Sequence, residues 1–234
     1  MRYVWATATH QGMVRDTNED SVFPKASGES ADDVLAIVAD GMGGHVAGEV
    51  ASRIAINAAA STDVDPSDRV AAGNRAIREE VARDPGLDGM GTTMTLLRIE
   101  DGVATIGHVG DSRAYILREG ELRQITEDHT VAAEYVAEGQ LTPEEAATHP
   151  QRHMLVRTLG LTRFVNIDEV KLDLAPGDRL LLCSDGLTEM VRDGDIATTL
   201  GEGTPDEVVW KLVEMANNAG GVDNITTVVI EVLD

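Results

Sequence analysis

Three apolar runs in this 234-residue sequence each end on an aspartate, and a fourth aspartate stands just before another apolar run. Residues 34–39 end in Asp40-Gly41, and residues 180–183 lead through Ser184 to Asp185-Gly186. Residues 103–109 end in Gly110-Asp111, and Asp223-Asn224 precedes the run 225–232. Short apolar runs bounded by turn residues read as strands buried on both faces. If such strands are neighbours in a sheet sandwich, their ends bring several carboxylates to one edge. Carboxylates that close raise each other's pKa unless cations sit between them. A site built from oxygen ligands alone suits Mg²⁺ or Mn²⁺.

Either Asp-Gly pair alone is an ordinary turn signal. Two of them at the ends of buried strands, joined by Asp111 and Asp223, make coincidence unattractive. Asp40 opens the segment Asp40-Gly41-Met42-Gly43-Gly44-His45, whose glycines let backbone approach whatever the aspartate holds. Upstream, Arg15 stands in a stretch that ends in Asn18-Glu19-Asp20. Its fork suits bidentate binding of phosphate, although by itself it reads as an exposed surface arginine.

Other chemistries fail on spacing. His149 and His153 lie one helical turn apart, but neither an HExxH pattern nor a cysteine pair accompanies them, so zinc is not supported. His10, His108 and His129 read as packed or surface residues, and Met90-Gly91-Thr92-Thr93 as a turn into a strand without chemistry. A cysteine nucleophile would want arginine where Glu189 follows Cys183, and Asp185-Gly186-Leu187-Thr188 lacks the second aspartate of a DxDxT site.

The elements that must position these residues follow from periodicity. Strands are expected near 3–9, 19–24, 34–39, 92–99, 103–109, 113–118, 121–126, 165–173, 178–183 and 225–232. Helices are expected over about 47–61, with an apolar face at helical spacing, and from Asp65-Pro66 to about Arg83. Thr142-Pro143-Glu144-Glu145 and Thr204-Pro205-Asp206-Glu207 carry capping-box signatures that start two more helices. Further helices are expected at 129–138 and 193–200. Strands come in runs and helices in pairs, which argues for an α+β fold of antiparallel sheets covered by helices. With no linker or repeat, residues 1–234 read as a single domain, with a polar flap inserted at about 129–158.

The formal net charge, 19 − 41 = −22, excludes nucleic-acid binding, which needs a basic stripe that the chain lacks. It also means that a phosphorylated substrate is repelled unless the site holds positive charge of its own. A lone Cys183 forms no disulfide within the chain and fits a reducing interior. No apolar run approaches the roughly 18 residues of a membrane span. The chain therefore reads as cytoplasmic, either by itself or as the cytosolic domain of a longer, membrane-anchored protein.

Taken together, Arg15-x-x-Asn18-Glu19-Asp20, Asp40-Gly41-Met42-Gly43-Gly44-His45, Gly91-Thr92-Thr93, Val109-Gly110-Asp111-Ser112-Arg113, Cys183-Ser184-Asp185-Gly186-Leu187 and Gly220-Gly221-Val222-Asp223-Asn224 closely resemble the bacterial metal-dependent Ser/Thr protein phosphatases of the phosphatase 2C (PPM) family. The resemblance implies a four-layer α-β-β-α sandwich, two antiparallel sheets flanked by helices. It implies a binuclear Mn²⁺ or Mg²⁺ centre in which Asp40 bridges and Gly41 offers its carbonyl. Asp185 and Asp223 would complete that centre, and Asp20 would bind directly or through water. A third, weaker ion would fall to Asp111 and Asp185, and the substrate phosphate to Arg15. The implied activity is hydrolysis of phosphoserine and phosphothreonine by direct attack of a metal-bridging hydroxide. Its partners would be phosphorylated proteins, a Ser/Thr kinase among them. Met42 departs from the animal members, which carry a histidine there as proposed acid for the leaving alkoxide; a metal-bound water or His45 are the alternatives. Two rival readings of another class are a non-catalytic phosphoprotein-binding module and a Ca²⁺-stabilised structural domain.

Overall fold

The structure is a computed structural model that describes residues 1–43 and 47–234. The N-terminal part lays down β1 (Arg2–His10), β2 (Ser21–Phe23), β3 (Gly28–Ser30), β4 (Val34–Ala39) and the two-residue β5 (Gly41–Met42). Two long helices follow, α1 (Ala47–Ala60) and α2 (Pro66–Arg83). The middle supplies β6 (Gly91–Thr92), β7 (Met94–Glu100), β8 (Val103–Val109), β9 (Arg113–Arg118) and β10 (Glu121–Gln124). Helices α3 (Val131–Ala137) and α4 (Pro143–Ala146) stand between β10 and β11 (Asp168–Asp173), which is followed by β12 (Arg179–Cys183). The chain then forms α5 (Asp185–Thr188), α6 (Asp193–Leu200), α7 (Pro205–Asn218) and β13 (Ile225–Leu233).

Two antiparallel sheets face each other, one ordered β10-β9-β12-β13-β1-β3 and the other β11-β8-β7-β4-β2. Strand alternation explains the four layers, because successive side chains point to opposite faces. Leu180, Leu182, Val228 and Ile230 turn inward to meet Val38, Leu97 and Ile106 of the opposite sheet. Their neighbours Leu181 and Val229 turn outward onto Ile196, Leu200, Val209 and Leu212 of α6 and α7. On the far side Ile37 and Leu96 pack on Ala51, Ala55, Val70 and Ile77 of α1 and α2. The small aliphatic face of α1, Ala51, Ala55 and Ala59, lets it lie close to the sheet.

Most expected elements fall within a few residues of their observed bounds, and both capping boxes are present, at Thr142 with Glu145 and at Thr204 with Glu207. Four details differ. The expected strand at 92–99 is interrupted at Thr93, because that residue turns its hydroxyl to the backbone of Asp40. Asp65 precedes α2 without a side-chain cap bond. Asp185-Gly186 is the first turn of α5 rather than a simple turn. The short strands β3 and β5 were not anticipated.

Candidate metal centre

Strand register alone brings the sequence's scattered acids to one edge. Cys183 pairs with Thr227, so the C-terminal end of β12 lies beside the start of β13, and Asp185 meets Asp223. His10 pairs with Ile225, which carries the segment containing Arg15 to the same place. In the other sheet, Ser21 pairs with Ala39, setting Asp20 next to Asp40. Val38 pairs with Thr95 and Met94 with Val109, which brings Asp111 to that edge as well.

Backbone contacts then hold each turn. The Asp40 N–H donates to Thr93 Oγ1 at 2.9 Å, while Thr92 Oγ1 donates to the Asp40 carbonyl at 2.7 Å. The Gly41 N–H donates to the Glu19 carbonyl at 3.2 Å, and the Glu19 N–H donates to Asn224 Oδ1 at 2.8 Å. Asn224 Nδ2 donates in turn to the carbonyls of Gln11 and Thr17, so a single amide joins the segment after β1, the segment before β2 and the start of β13. Ser184 Oγ donates to Asp20 Oδ2 at 2.7 Å. None of these supports was assigned a role from sequence. The only available signal was that Thr92-Thr93, Ser184 and Asn224 each adjoin a candidate acid or a glycine turn.

Two glycines permit contacts that no other residue would. A Cβ on Gly41 would lie 2.2 Å from the Gly48 carbonyl oxygen, and one on Gly186 would lie 2.0 Å from that of Asn224. Gly186→Ala must therefore push α5 off the 223–224 loop. We expect a cost of about 1–3 kcal/mol, the usual penalty for overpacking, read as a melting temperature several degrees lower in a chain of this size. A variant melting with the wild type would show that this approach is not tight.

The electrostatics of the cluster are unfavourable as protein alone. Asp20 and Asp111 are each 8% exposed. Burial pushes Asp20 up to about 7, with Asp185 and Asp223 adding to the rise and bonds from Thr226 and Ser184 opposing it. Asp40 is raised well above the ordinary carboxylate range by burial, then by Asp20, Asp185 and Asp111, and a proton on it would bridge to Asp185. Burial and Asp185 do the same to Asp111, and burial and Asp223 raise Asp185 itself. Asp20 Oδ1 and Asp185 Oδ1 are buried with no hydrogen-bond partner among the described residues. Buried carboxylate oxygens left without a donor are costly, and a divalent cation is the group that satisfies several at once. The donor set, all oxygen and all acidic, fits hard cations such as Mn²⁺ or Mg²⁺.

At the rim, Arg15 Nη2 donates to Asp223 Oδ2 at 2.5 Å, and its side chain is half exposed. His153 Nδ1 contacts a Glu189 carboxylate oxygen beside Asp185, and one ligand atom from each of the three lies within 4.8 Å of the others. Burial, Asp185 and Asp223 push Glu189 up to about 7. Neither Glu189 nor His153 was expected to join the cluster. His153 arrives through the fold-back of the insertion before β11, which no local pattern encodes, whereas Glu189 caps α5 one turn after Asp185 and its N–H donates to the Asp185 carbonyl at 2.8 Å. His45, a candidate acid from sequence, lies outside the described residues. Cys183 is fully buried and its thiol is pushed up to about 12 by burial, so no thiolate nucleophile forms there.

Residues 9–204 match the family profile described as Protein phosphatase 2C. The chain belongs to the protein phosphatase 2C family. It is 43% identical over 239 residues to the serine/threonine protein phosphatase PstP of Mycobacterium tuberculosis, a match covering 98% of this chain and 45% of that protein. The chain thus spans less than half the length of that relative. The protein phosphatase PhpP of Streptococcus pneumoniae is 37% identical over 237 residues, with 95% of this chain and 94% of that protein covered. Among solved structures, the M. tuberculosis PstP/Ppp phosphatase superposes with a TM-score of 0.92 at 41% identity, covering both chains completely. The catalytic domain of PstP in complex with two manganese ions gives 0.88 at 40% identity, again over both whole chains. The four-layer sandwich is therefore that of the bacterial phosphatase 2C proteins.

Proposed function

We propose that this phosphatase 2C-family chain hydrolyses phosphoserine and phosphothreonine in phosphorylated proteins, a Ser/Thr kinase among them, in the cytoplasm. Residues 1–234 act as one catalytic domain. Asp40, with the Gly41 carbonyl, Asp185, Asp223 and Asp20 hold two divalent cations, Mn²⁺ or Mg²⁺; Asp111 and Asp185 hold a third more weakly. The observation that carries this reading is the pair of buried, partnerless oxygens, Asp20 Oδ1 and Asp185 Oδ1, inside a group of carboxylates that burial and mutual repulsion drive toward protonation. When bound, such cations supply Lewis acidity that activates water at neutral pH and offsets phosphoryl charge.

The chain's own groups have distinct tasks. The aspartates hold fixed negative charge at a site that otherwise repels phosphate, so the sign of the site depends on what they bind. Arg15 keeps further N–H donors beyond the one on Asp223, and its half-exposed position lets them reach the oxygens of an incoming phosphate. Met42 follows Asp40-Gly41 and has no proton to give a leaving alkoxide. A cavity of about 800 Å³ adjoins the cluster, lined by Asp111, Arg113, His129, Arg152, His153 and Asp185. Helices α3 and α4 form its outer wall, so the 129–158 insertion serves as the flap over the substrate.

The deciding experiment measures release of phosphate from p-nitrophenyl phosphate and from a phosphothreonine peptide with Mn²⁺, then with chelator. Turnover that chelator abolishes supports the reading. Tight phosphopeptide binding without turnover would favour a non-catalytic binding module instead. Arg15→Lys keeps the charge but loses the planar fork. We expect kcat/KM to fall by about 10²-fold, the scale of losing one charge-stabilising donor, with melting unchanged. Equal kcat/KM in the variant would remove Arg15 from the site.

A further inference from the structure

His129 stands at the start of the 129–158 insertion and grips Gly110 twice. Its backbone N–H donates to the Gly110 carbonyl at 2.8 Å, and its ring Nδ1 accepts the Gly110 N–H at 3.0 Å. Both backbone polar groups of the residue before Asp111 are thus held by one residue. Gly110 has φ of 115°, and a Cβ there would meet Thr93 at 2.5 Å, so the position admits only glycine and needs outside support to stay in place.

The same histidine is anchored on its other side. Because Nδ1 accepts from Gly110, the ring proton sits on Nε2, 3.1 Å from Asp168 Oδ2 on β11. Asp168 Oδ1 accepts from Arg157 Nη1 at 2.8 Å, which fixes the carboxylate. The His129 carbonyl accepts the Val156 N–H at 2.9 Å, and Thr130 bridges to Leu155, so the two ends of the insertion close on this residue. The side chain is 3% exposed and tilts against the His108 ring at 4.8 Å. A carboxylate–imidazole pair of this kind orients what the imidazole touches, as it does behind metal ligands elsewhere.

We propose that His129 is a positioning residue for the cation site at Asp111: its ring holds the Val109–Gly110 peptide by the Gly110 N–H, its backbone N–H holds the Gly110–Asp111 peptide by the Gly110 carbonyl, and together they tie that turn to the base of the flap. The inference rests on the reading of the acidic cluster given above. Holding the peptides on both sides of Gly110 limits where the Asp111 carboxylate can swing. An asparagine at 129 can place its Oδ1 where Nδ1 stands and keep the Gly110 bond, whereas leucine fills the space without accepting it.

Calorimetric titration with MnCl₂, alongside melting curves, tests this on the wild type and on His129→Leu, His129→Asn and Asp168→Ala. The leucine variant should bind the weakest ion about 10- to 100-fold less tightly, with the tighter ions changed by less than about twofold. Asparagine should restore most of the loss, and Asp168→Ala, which frees the ring but leaves the Gly110 bond, should fall between. Unchanged affinity in the leucine variant, or asparagine as damaging as leucine, would overturn the proposal. If the leucine variant does not fold, Asp168→Ala decides: weakened binding of the last ion alone supports the role, and wild-type binding overturns it. A wild type that takes up no manganese overturns the cluster reading and this inference with it; normal wild-type binding matched by every variant overturns this inference alone.

Discussion

Asp185→Asn is expected to lower kcat/KM by on the order of 10³-fold, at the upper end of what one charge-stabilising group contributes. Asp185 is the hub of the cluster. Its charge acts on Asp20, Asp40, Asp111 and Glu189, and Asp223 acts on it. It also has a buried oxygen with no partner among the described residues. Asparagine is nearly isosteric and keeps an acceptor, so the fold should survive while the negative charge is lost. Asp111→Asn removes a carboxylate at the side of the cluster and should cost only about tenfold, the low end for a supporting ligand. Steady-state kinetics across a Mn²⁺ series check both. An Asp185→Asn enzyme within tenfold of wild type would mean that this carboxylate is not central. Asp173→Asn, on the exposed face of β11, serves as the control and should change nothing.

What could be read in advance divides along a physical line. The strands ending on Asp40, Asp111 and Asp185, and the one beginning after Asp223, announce themselves through local hydrophobicity and turn chemistry. The long helices announce themselves through their apolar faces. The short elements do not. β3 is three residues, held because Gly28 lies against the Trp5 ring, and β5 exists only through pairing with β6. α5 is four residues beginning Asp-Gly, a poor helix sequence, and forms because Gly186 can settle on the Asn224 carbonyl. The same divide runs through the site. The acids were nameable from their strand ends, but Arg15 on Asp223, Ser184 on Asp20 and Thr93 on Asp40 are contacts across 208, 164 and 53 positions. No window of sequence contains such pairs. His129 shows the limit most clearly, since it read as a packed or surface histidine and is buried, yet every contact that gives it meaning is long-range.

Removing metal should make stability fall as pH rises, opposite to the trend in a protein whose carboxylates are paired. Folding raises the proton affinity of the cluster: Asp20 goes from 3.8 to about 7 and Glu189 from 4.5 to about 7, while Asp40, Asp111 and Asp185 are also raised, chiefly by burial. Below about pH 4 these groups are protonated in both folded and unfolded chains. Between about pH 4 and 7 the unfolded chain releases protons that the folded chain retains, so their stabilising contribution is lost progressively. Buried His108, lowered to about 4 by burial and by His129, acts the other way over the same range, because the unfolded chain gains its proton first as pH falls. Asp178 is raised by burial but brought below its ordinary value by Arg118 and the Ala175 N–H together, and its contribution changes only at lower pH. A difference measurement isolates the cluster, since His108 and Asp178 are common to both chains compared. In chelator, Asp40→Asn should melt with the wild type near pH 4 and above it near pH 8. The two melting temperatures should therefore separate progressively as pH rises across that range. With saturating Mn²⁺ the order should reverse, because cations stabilise whichever chain binds them more tightly. An Asp40→Asn protein that melts below the wild type at pH 8 in chelator would mean that these carboxylates do not strain the metal-free fold. If Asp40 holds the cations as proposed, the same substitution should remove activity while relieving repulsion, a combination that ordinary misfolding does not produce.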